Sequence, residues 1–209
     1  YLVMEYVPGI DLSQLIKNRG PLPIAAACEL IRQAAAGLQA AHAAGMIHRD
    51  IKPSNLMLTP GPLGQPVVKV LDLGLALLSA GEGESEGGDE LTGTGQVMGT
   101  INYMAPEQGD DSHGVDHRAD IYSLGATLYK LLTGQAIYQH AANKSAVQQI
   151  LALATQPAPP IQSRRADVPD ALAAVVHQMI AKIPAERYAS AAQVAAALEP
   201  FADSASLAD

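Results

Sequence analysis

His48-Arg49-Asp50-Ile51-Lys52-Pro53-Ser54-Asn55 packs a carboxylate, a lysine two residues on and an amide five residues on into one short loop. Phosphoryl transfer needs such a set: an acid group to orient a hydroxyl, a cation for the migrating phosphoryl group and an oxygen ligand for a metal. A polar turn after a helix also favours His, Asp and Asn, and a lone His-Arg-Asp would leave the two readings level. The added spacing to Lys52 and Asn55 favours the chemical one.

Working outward, apolar residues recur at helical spacing from Pro23 to Ala44, and Gly45 stops that run as a C-cap, so the loop follows a helix directly. Upstream, Tyr1 to Glu5 reads as a strand ended by Pro8-Gly9, and Asp11 starts a short helix. Downstream, Leu56 to Thr59 and Val67 to Leu71 read as short strands joined by the turn Pro60-Gly61-Pro62-Leu63-Gly64-Gln65-Pro66. Ser79 to Gly95 is Gly-rich and carries Glu82, Glu84, Glu86, Asp89 and Glu90 with no basic residue; it reads as a solvated loop. Helices are expected from Arg118 to Leu132 (ended by Gly134), Ser145 to Ala154, Asp170 to Ala181 and Ala189 to Leu198, with the breaker Pro157-Ala158-Pro159-Pro160 between the second and third. No internal repeat is visible.

With 209 residues, 48% of them hydrophobic and 16% charged, the chain reads as a globular domain. A chain of this length buries roughly 70% of its unfolded surface. The net charge of −8, without a dense Lys/Arg cluster, argues against a nucleic-acid partner. Cys28 is the only cysteine, so there is no disulfide framework or thiol metal site, and its Ala/Leu surroundings make it a core residue. No stretch reaches the roughly 20 apolar residues that would span a bilayer, and no secretory signal is visible. The chain opens on Tyr1 in the middle of an apolar run, which reads as a piece of something longer.

Four further motifs extend the pattern. Asp72-Leu73-Gly74 follows a strand; a carboxylate at a strand end beside a glycine suits a magnesium ligand, although a plain turn is the default for the tripeptide alone. Then come Gly99-Thr100-Ile101-Asn102-Tyr103-Met104-Ala105-Pro106-Glu107, Asp120-Ile121-Tyr122-Ser123-Leu124-Gly125 opening a helix, and Arg187 in Lys182-Ile183-Pro184-Ala185-Glu186-Arg187-Tyr188. In order and spacing these five motifs resemble the eukaryotic-like (Hanks-type) serine/threonine protein kinases, most closely those of bacteria. The resemblance covers nearly the whole chain, but only from the hinge onward.

It implies the large C-terminal lobe of a kinase fold, mainly α-helical, with short β-hairpins near the catalytic loop. Residues 1–8 would be the last small-lobe strand and hinge, 9–202 the large lobe with its activation segment at 72–107, and 203–209 a tail. It also implies Asp50 as the base that orients a substrate hydroxyl and Lys52 as the cation that steadies the phosphoryl group. Asn55 and Asp72 would hold magnesium. For ATP, Met4 would be the gatekeeper, Glu5 and Val7 would meet the adenine edge, Asp11 the ribose, and Met57 the adenine floor; read from the residues alone, these could equally be packing positions. Lys52 and Thr100 match the serine/threonine branch. Arg49 would receive a phosphate from the activation segment, where Thr92-Gly93-Thr94 resembles the bacterial Thr-x-Thr autophosphorylation site. Glu107 and Arg187 would form a buried ion pair, and Asp120 would hold the catalytic-loop backbone. The partners implied are protein substrates with Ser/Thr and a second kinase copy for trans-autophosphorylation, with no membrane contact from this segment. The implied location is the cytoplasm, including the cytoplasmic part of a membrane-anchored protein.

Some features depart from the family. Leu73 stands where Phe is commoner, and the connections from Asn55 to Asp72 and from Asp72 to Glu107 look long. No Gly-x-Gly-x-x-Gly loop precedes a strand; Gly93-Thr94-Gly95 is a near miss in the wrong place. No lysine precedes the hinge, so the ion pair that positions the nucleotide phosphates cannot form within these residues, and little ATP turnover is expected of them alone. The leading expectation is thus the large lobe of an ATP-dependent Ser/Thr protein kinase. The alternative is an inactive kinase-like module that binds partners through its helices.

Overall fold

The computed structural model describes residues 5–73, 100–109, 115–138 and 145–202. Tyr1 to Met4, the acidic stretch, Thr92 and Thr94 lie outside these residues. Three strands, β1 (Ile10–Asp11), β2 (Leu56–Pro60) and β3 (Pro66–Val70), form one antiparallel sheet in the order β1-β2-β3. The helices are α1 (Leu12–Arg19), α2 (Ile24–Ala43), α3 (Arg118–Thr133), α4 (Ala146–Thr155), α5 (Asp170–Met179) and α6 (Ala191–Ala202). This is the helix-dominated large lobe expected, with a hairpin beside the polar loop.

Local chemistry sets most boundaries. Asp11 caps α1, its Oδ1 accepting the Gln14 N–H at 2.9 Å. Helix α2 closes in a Schellman motif: the N–H of Gly45 donates to the His42 carbonyl and that of Met46 to the Ala41 carbonyl, both at 3.0 Å. Gly45 adopts φ 76°, the left-handed turn this motif needs. That stop fixes where the chain leaves α2 and enters the polar loop. Ser145 and Gln148 form a capping box at α4.

Helix α3 is the central post. It is buried along nearly its whole length, and Ile121, Leu124, Leu128, Leu131 and Leu132 are fully inaccessible. Its hydroxyls avoid orphaning by bonding back one turn, Ser123 to the Ala119 carbonyl at 3.1 Å and Thr127 to the Ser123 carbonyl at 2.9 Å. Helix α2 packs against α3, α6 and β3, and α5 packs against α3. The α3–α5 crossing is close enough that a Cβ on Gly125 would lie 2.7 Å from that of Met179. No helix among the described residues is long and apolar enough to cross a membrane.

Several boundaries differ from expectation. No sequence signal marks β1, since two residues are too few for an alternating pattern. Glu5 is not in a strand. Helix α6 starts at Ala191 and runs through Pro200 to Ala202 instead of ending at Leu198. The proline forfeits one helical hydrogen bond, but Leu198 and Ala202 are buried and Phe201 packs on the core, which favours continuation. Helix α5 stops at Met179, two residues before the expected Ala181.

Candidate active site

The loop after α2 is held from three directions. From below, Asp120 at the start of α3, itself fully buried, accepts the His48 N–H on Oδ2 (2.9 Å) and the Arg49 N–H on Oδ1 (2.8 Å). His42 of α2 adds a 2.8 Å contact from its Nε2 to Oδ2. From within, His48 accepts the Asp50 N–H on Nδ1 at 3.3 Å, which leaves Nε2 to donate to the Leu71 carbonyl at 2.7 Å. One imidazole therefore ties the residue before Asp72 to the backbone of Asp50. From the sheet, the Leu71 N–H donates to the Asn55 carbonyl at 2.9 Å.

The polar side chains predicted for the site meet here. Lys52 Nζ lies 2.8 Å from Asp50 Oδ2 and donates to Thr100 Oγ1 at 3.2 Å. Asn55 Nδ2 donates to the Asp50 carbonyl at 2.8 Å and to Asp50 Oδ2 at 3.1 Å. Pro53 opens the 3-10 turn Pro53–Asn55, with its fixed φ at a helical first position, and this turn brings the amide back onto Asp50. Asp50 and Asp72 line one cleft of about 510 Å³ together with His48, Arg49, Thr100, Tyr103, Met104 and Gln108. Among the described residues, Arg49 (φ 67°) and Asp72 (φ 59°) are the non-glycine residues with left-handed backbones. Such conformations are costly and persist where the surroundings over-determine them. Among the described residues, Arg49 Nε is buried with no hydrogen-bond partner.

The predicted nucleotide positions sit on the sheet side. Asp11 pairs with Met57 across β1 and β2. Both Asp11 oxygens are engaged by Gln14, the side-chain amide at 2.6 Å. Glu5 pairs with Lys69 at 2.7 Å, both exposed, and Val7 is half-buried. Away from the cleft, Glu107 and Arg187 meet through two bonds, at 2.6 and 2.7 Å. The structure adds His42 and Gln108 to the residues singled out in the sequence and gives His48, quoted there without a role, its contacts. A weak signal existed for Gln108, because a Gln three residues after a turn's first position often caps it. The contacts of His42 and His48 span 78 and 23 positions, and no local pattern encodes them.

A helical lobe whose polar loop, strand-end carboxylate and buried arginine–glutamate pair stand in this arrangement is a protein kinase large lobe. The protein kinase domain profile matches residues 1–198, and the chain belongs to that family. Its relatives include the serine/threonine-protein kinase pkn3 of Myxococcus xanthus, 37% identical over 201 residues, covering 95% of this chain and 36% of pkn3. PknB of Mycolicibacterium smegmatis is 39% identical over 198 residues, covering 95% of this chain and 30% of that kinase. The crystal structure of a double mutant of the Mycobacterium tuberculosis PknI kinase domain superposes with a TM-score of 0.67 at 26% identity, covering 95% of this chain and 65% of that chain. The chain thus spans about a third of the length of these full-length relatives.

Proposed function

We propose that these residues form the large lobe of a serine/threonine protein kinase that transfers the γ-phosphoryl group of ATP to Ser and Thr hydroxyls of proteins. One observation carries the reading: Asp50, Lys52 and Asn55 form a single bonded cluster beside the cleft that Asp50 and Asp72 share. In this reading Asp50 accepts the hydrogen bond of the incoming hydroxyl and takes its proton as the new P–O bond forms and the bond to the ADP oxygen breaks. Lys52, tethered to Thr100, steadies the charge on the phosphoryl oxygens.

The donor set fits a magnesium ion. Asp72 offers hard carboxylate oxygens, and Asn55 turns its NH2 toward Asp50; its amide oxygen, which accepts only a long 3.5 Å bond from the Ser54 hydroxyl, is the atom that would meet a cation. Held by Asn55 and Asp72, magnesium would supply positive charge to offset the charge developing on the transferred phosphoryl group. Glu5, Val7, Asp11 and Met57 are assigned to the nucleotide, with residues 1–8 as the last small-lobe strand and hinge, 9–202 as the large lobe and 72–107 as the activation segment. The unpartnered Nε of Arg49 favours phosphate on Thr92 or Thr94 as a regulatory partner, supplied by a second copy of the kinase in the cytoplasm. Neither a Gly-rich loop nor a strand lysine precedes the hinge within residues 1–209, so these residues alone are assigned little turnover.

The test is a phosphoryl-transfer assay with the full-length protein, ATP, magnesium and a Ser/Thr peptide. Wild type transfers phosphate and Asp50→Asn loses roughly 10²- to 10⁴-fold in rate with little change in ATP affinity. A full-length protein with no transfer, but with retained capture of a partner, would favour the inactive binding module.

A further inference from the structure

We propose that Gln108 is a positioning residue for phosphoryl transfer, its side-chain amide clamping the carbonyl of Arg49 and so fixing the aim of Asp50 from the end of the activation segment. The inference rests on the kinase reading above. Gln108 Nε2 donates to the Arg49 carbonyl at 2.9 Å across 59 positions of sequence, and its Oε1 accepts the Ala105 N–H at 2.9 Å. These two partners leave the amide one orientation, since an N–H must meet oxygen and a C=O must meet a donor.

The clamp matters because of what it holds. Arg49 sits at φ 67°, a region unfavourable for a residue with a Cβ. Asp120 grips its N–H, but that bond alone leaves the following peptide plane free to turn. The Arg49 carbonyl and the Asp50 N–H belong to that one plane. Gln108 holds the carbonyl side and His48 Nδ1 holds the N–H side. Turning the plane would swing Asp50 away from Lys52 and Asn55. The clamp is itself anchored: Gln108 lies in the 3-10 turn Pro106–Gly109, and the preceding residue, Glu107, is tied to Arg187. Ala105, which receives the other end of the amide, is fully buried.

Gln108 lines the cleft, so direct substrate contact is the competing role. Its oxygen and one N–H are already committed to backbone, which favours positioning. The experiment uses the full-length protein with Gln108→Glu, which keeps the shape and the acceptor but sets an oxygen against the Arg49 carbonyl, and Gln108→Met, which keeps the volume without either bond. Gln39→Ala, remote from the cleft, serves as control. Steady-state kinetics on a Ser/Thr peptide are measured with thermal midpoints. Misplacing a catalytic group by about 1 Å can cost roughly 100-fold. We expect kcat to fall by at least about tenfold for Gln108→Glu and by less for Gln108→Met, with both KM values close to wild type and the midpoint only modestly lowered; Gln39→Ala, which loses its bond to the Ala192 N–H, should keep wild-type kinetics. A rise in peptide KM at unchanged kcat would overturn the inference in favour of substrate contact. Equal loss of kcat and midpoint in both variants would overturn it in favour of plain stability, and so would unchanged kinetics. No transfer by wild type would instead overturn the kinase reading beneath it.

Discussion

Arg187 and Glu107, 80 positions apart, meet in a forked ion pair: Nη1 to Oε1 at 2.6 Å and Nη2 to Oε2 at 2.7 Å. The arginine side chain is 0% exposed and the glutamate 22%. The remaining guanidinium N–H groups reach the carbonyls of Ala181, Arg118 and Lys182, so one side chain joins the turn Pro106–Gly109, the start of α3 and the loop after α5.

Breaking this pair from the acidic side leaves a buried charge. Truncating one partner of such a pair costs about 3–5 kcal/mol, and the partial exposure of Glu107 favours the lower end. Glu107→Gln should therefore lose about 3 kcal/mol, read by urea unfolding. A loss under about 1 kcal/mol would mean that the three backbone carbonyls suffice for Arg187.

Asp120→Asn keeps the shape but replaces one acceptor oxygen with an NH2 group. Oδ1 and Oδ2 each accept a backbone N–H of the polar loop, so either amide orientation sets an NH2 against an N–H. A buried donor left without an acceptor costs about 1–3 kcal/mol. The stability loss should be of that size, accompanied by loss of phosphoryl transfer in the full-length protein. Retained transfer would show that the left-handed Arg49 holds without Asp120.

Lys182 supplies a pH dependence. Its Nζ reaches the Leu153 carbonyl and the Tyr138 hydroxyl, but burial, with the Arg187 guanidinium adding to it, lowers its pKa to about 8 from 10.5. Between those values the unfolded chain binds the proton more tightly, so stability should rise with pH from about 8 toward 10. Above pH 10 the buried tyrosines reverse the trend. Burial pushes Tyr103 and Tyr138 up to about 12, so the unfolded chain loses their protons first. Lys182→Met should flatten the rise between pH 8 and 10 in denaturant titrations; an unchanged slope would assign it elsewhere.

Cys28 is fully buried on α2, and burial raises its thiol to about 12, with Arg165 opposing weakly. A thiol held so far from its thiolate reacts slowly. A disulfide-exchange reagent at pH 8 should leave Cys28 unmodified in the folded protein and modify it after denaturation. Rapid reaction in the native state would require α2 to open locally.

Phosphopeptide mapping of active full-length protein should find phosphate on Thr92 or Thr94, with Arg49→Ala lowering activity only in the phosphorylated form. Both threonines unmodified in active enzyme would remove the regulatory role assigned to Arg49.

Much of this lobe is legible in the chain itself because its signals are local. Asp11 as a cap, Gly45 as a stop, the hairpin between Leu56 and Val70 and the periodic helices all act within a few residues, through backbone dihedrals and one-turn hydrogen bonds. The Asp50–Lys52–Asn55 spacing is equally local, because a 3-10 turn returns the amide to the carboxylate. Tertiary packing decided the rest. Asp120 gripping the backbone 71 and 72 positions earlier, His48 bonding Leu71 across 23 and Gln108 clamping Arg49 across 59 all join segments with no shared periodicity. Hydrogen bonds between distant segments depend on where the core places whole helices, and only the folded lobe brings a donor and an acceptor within 3 Å.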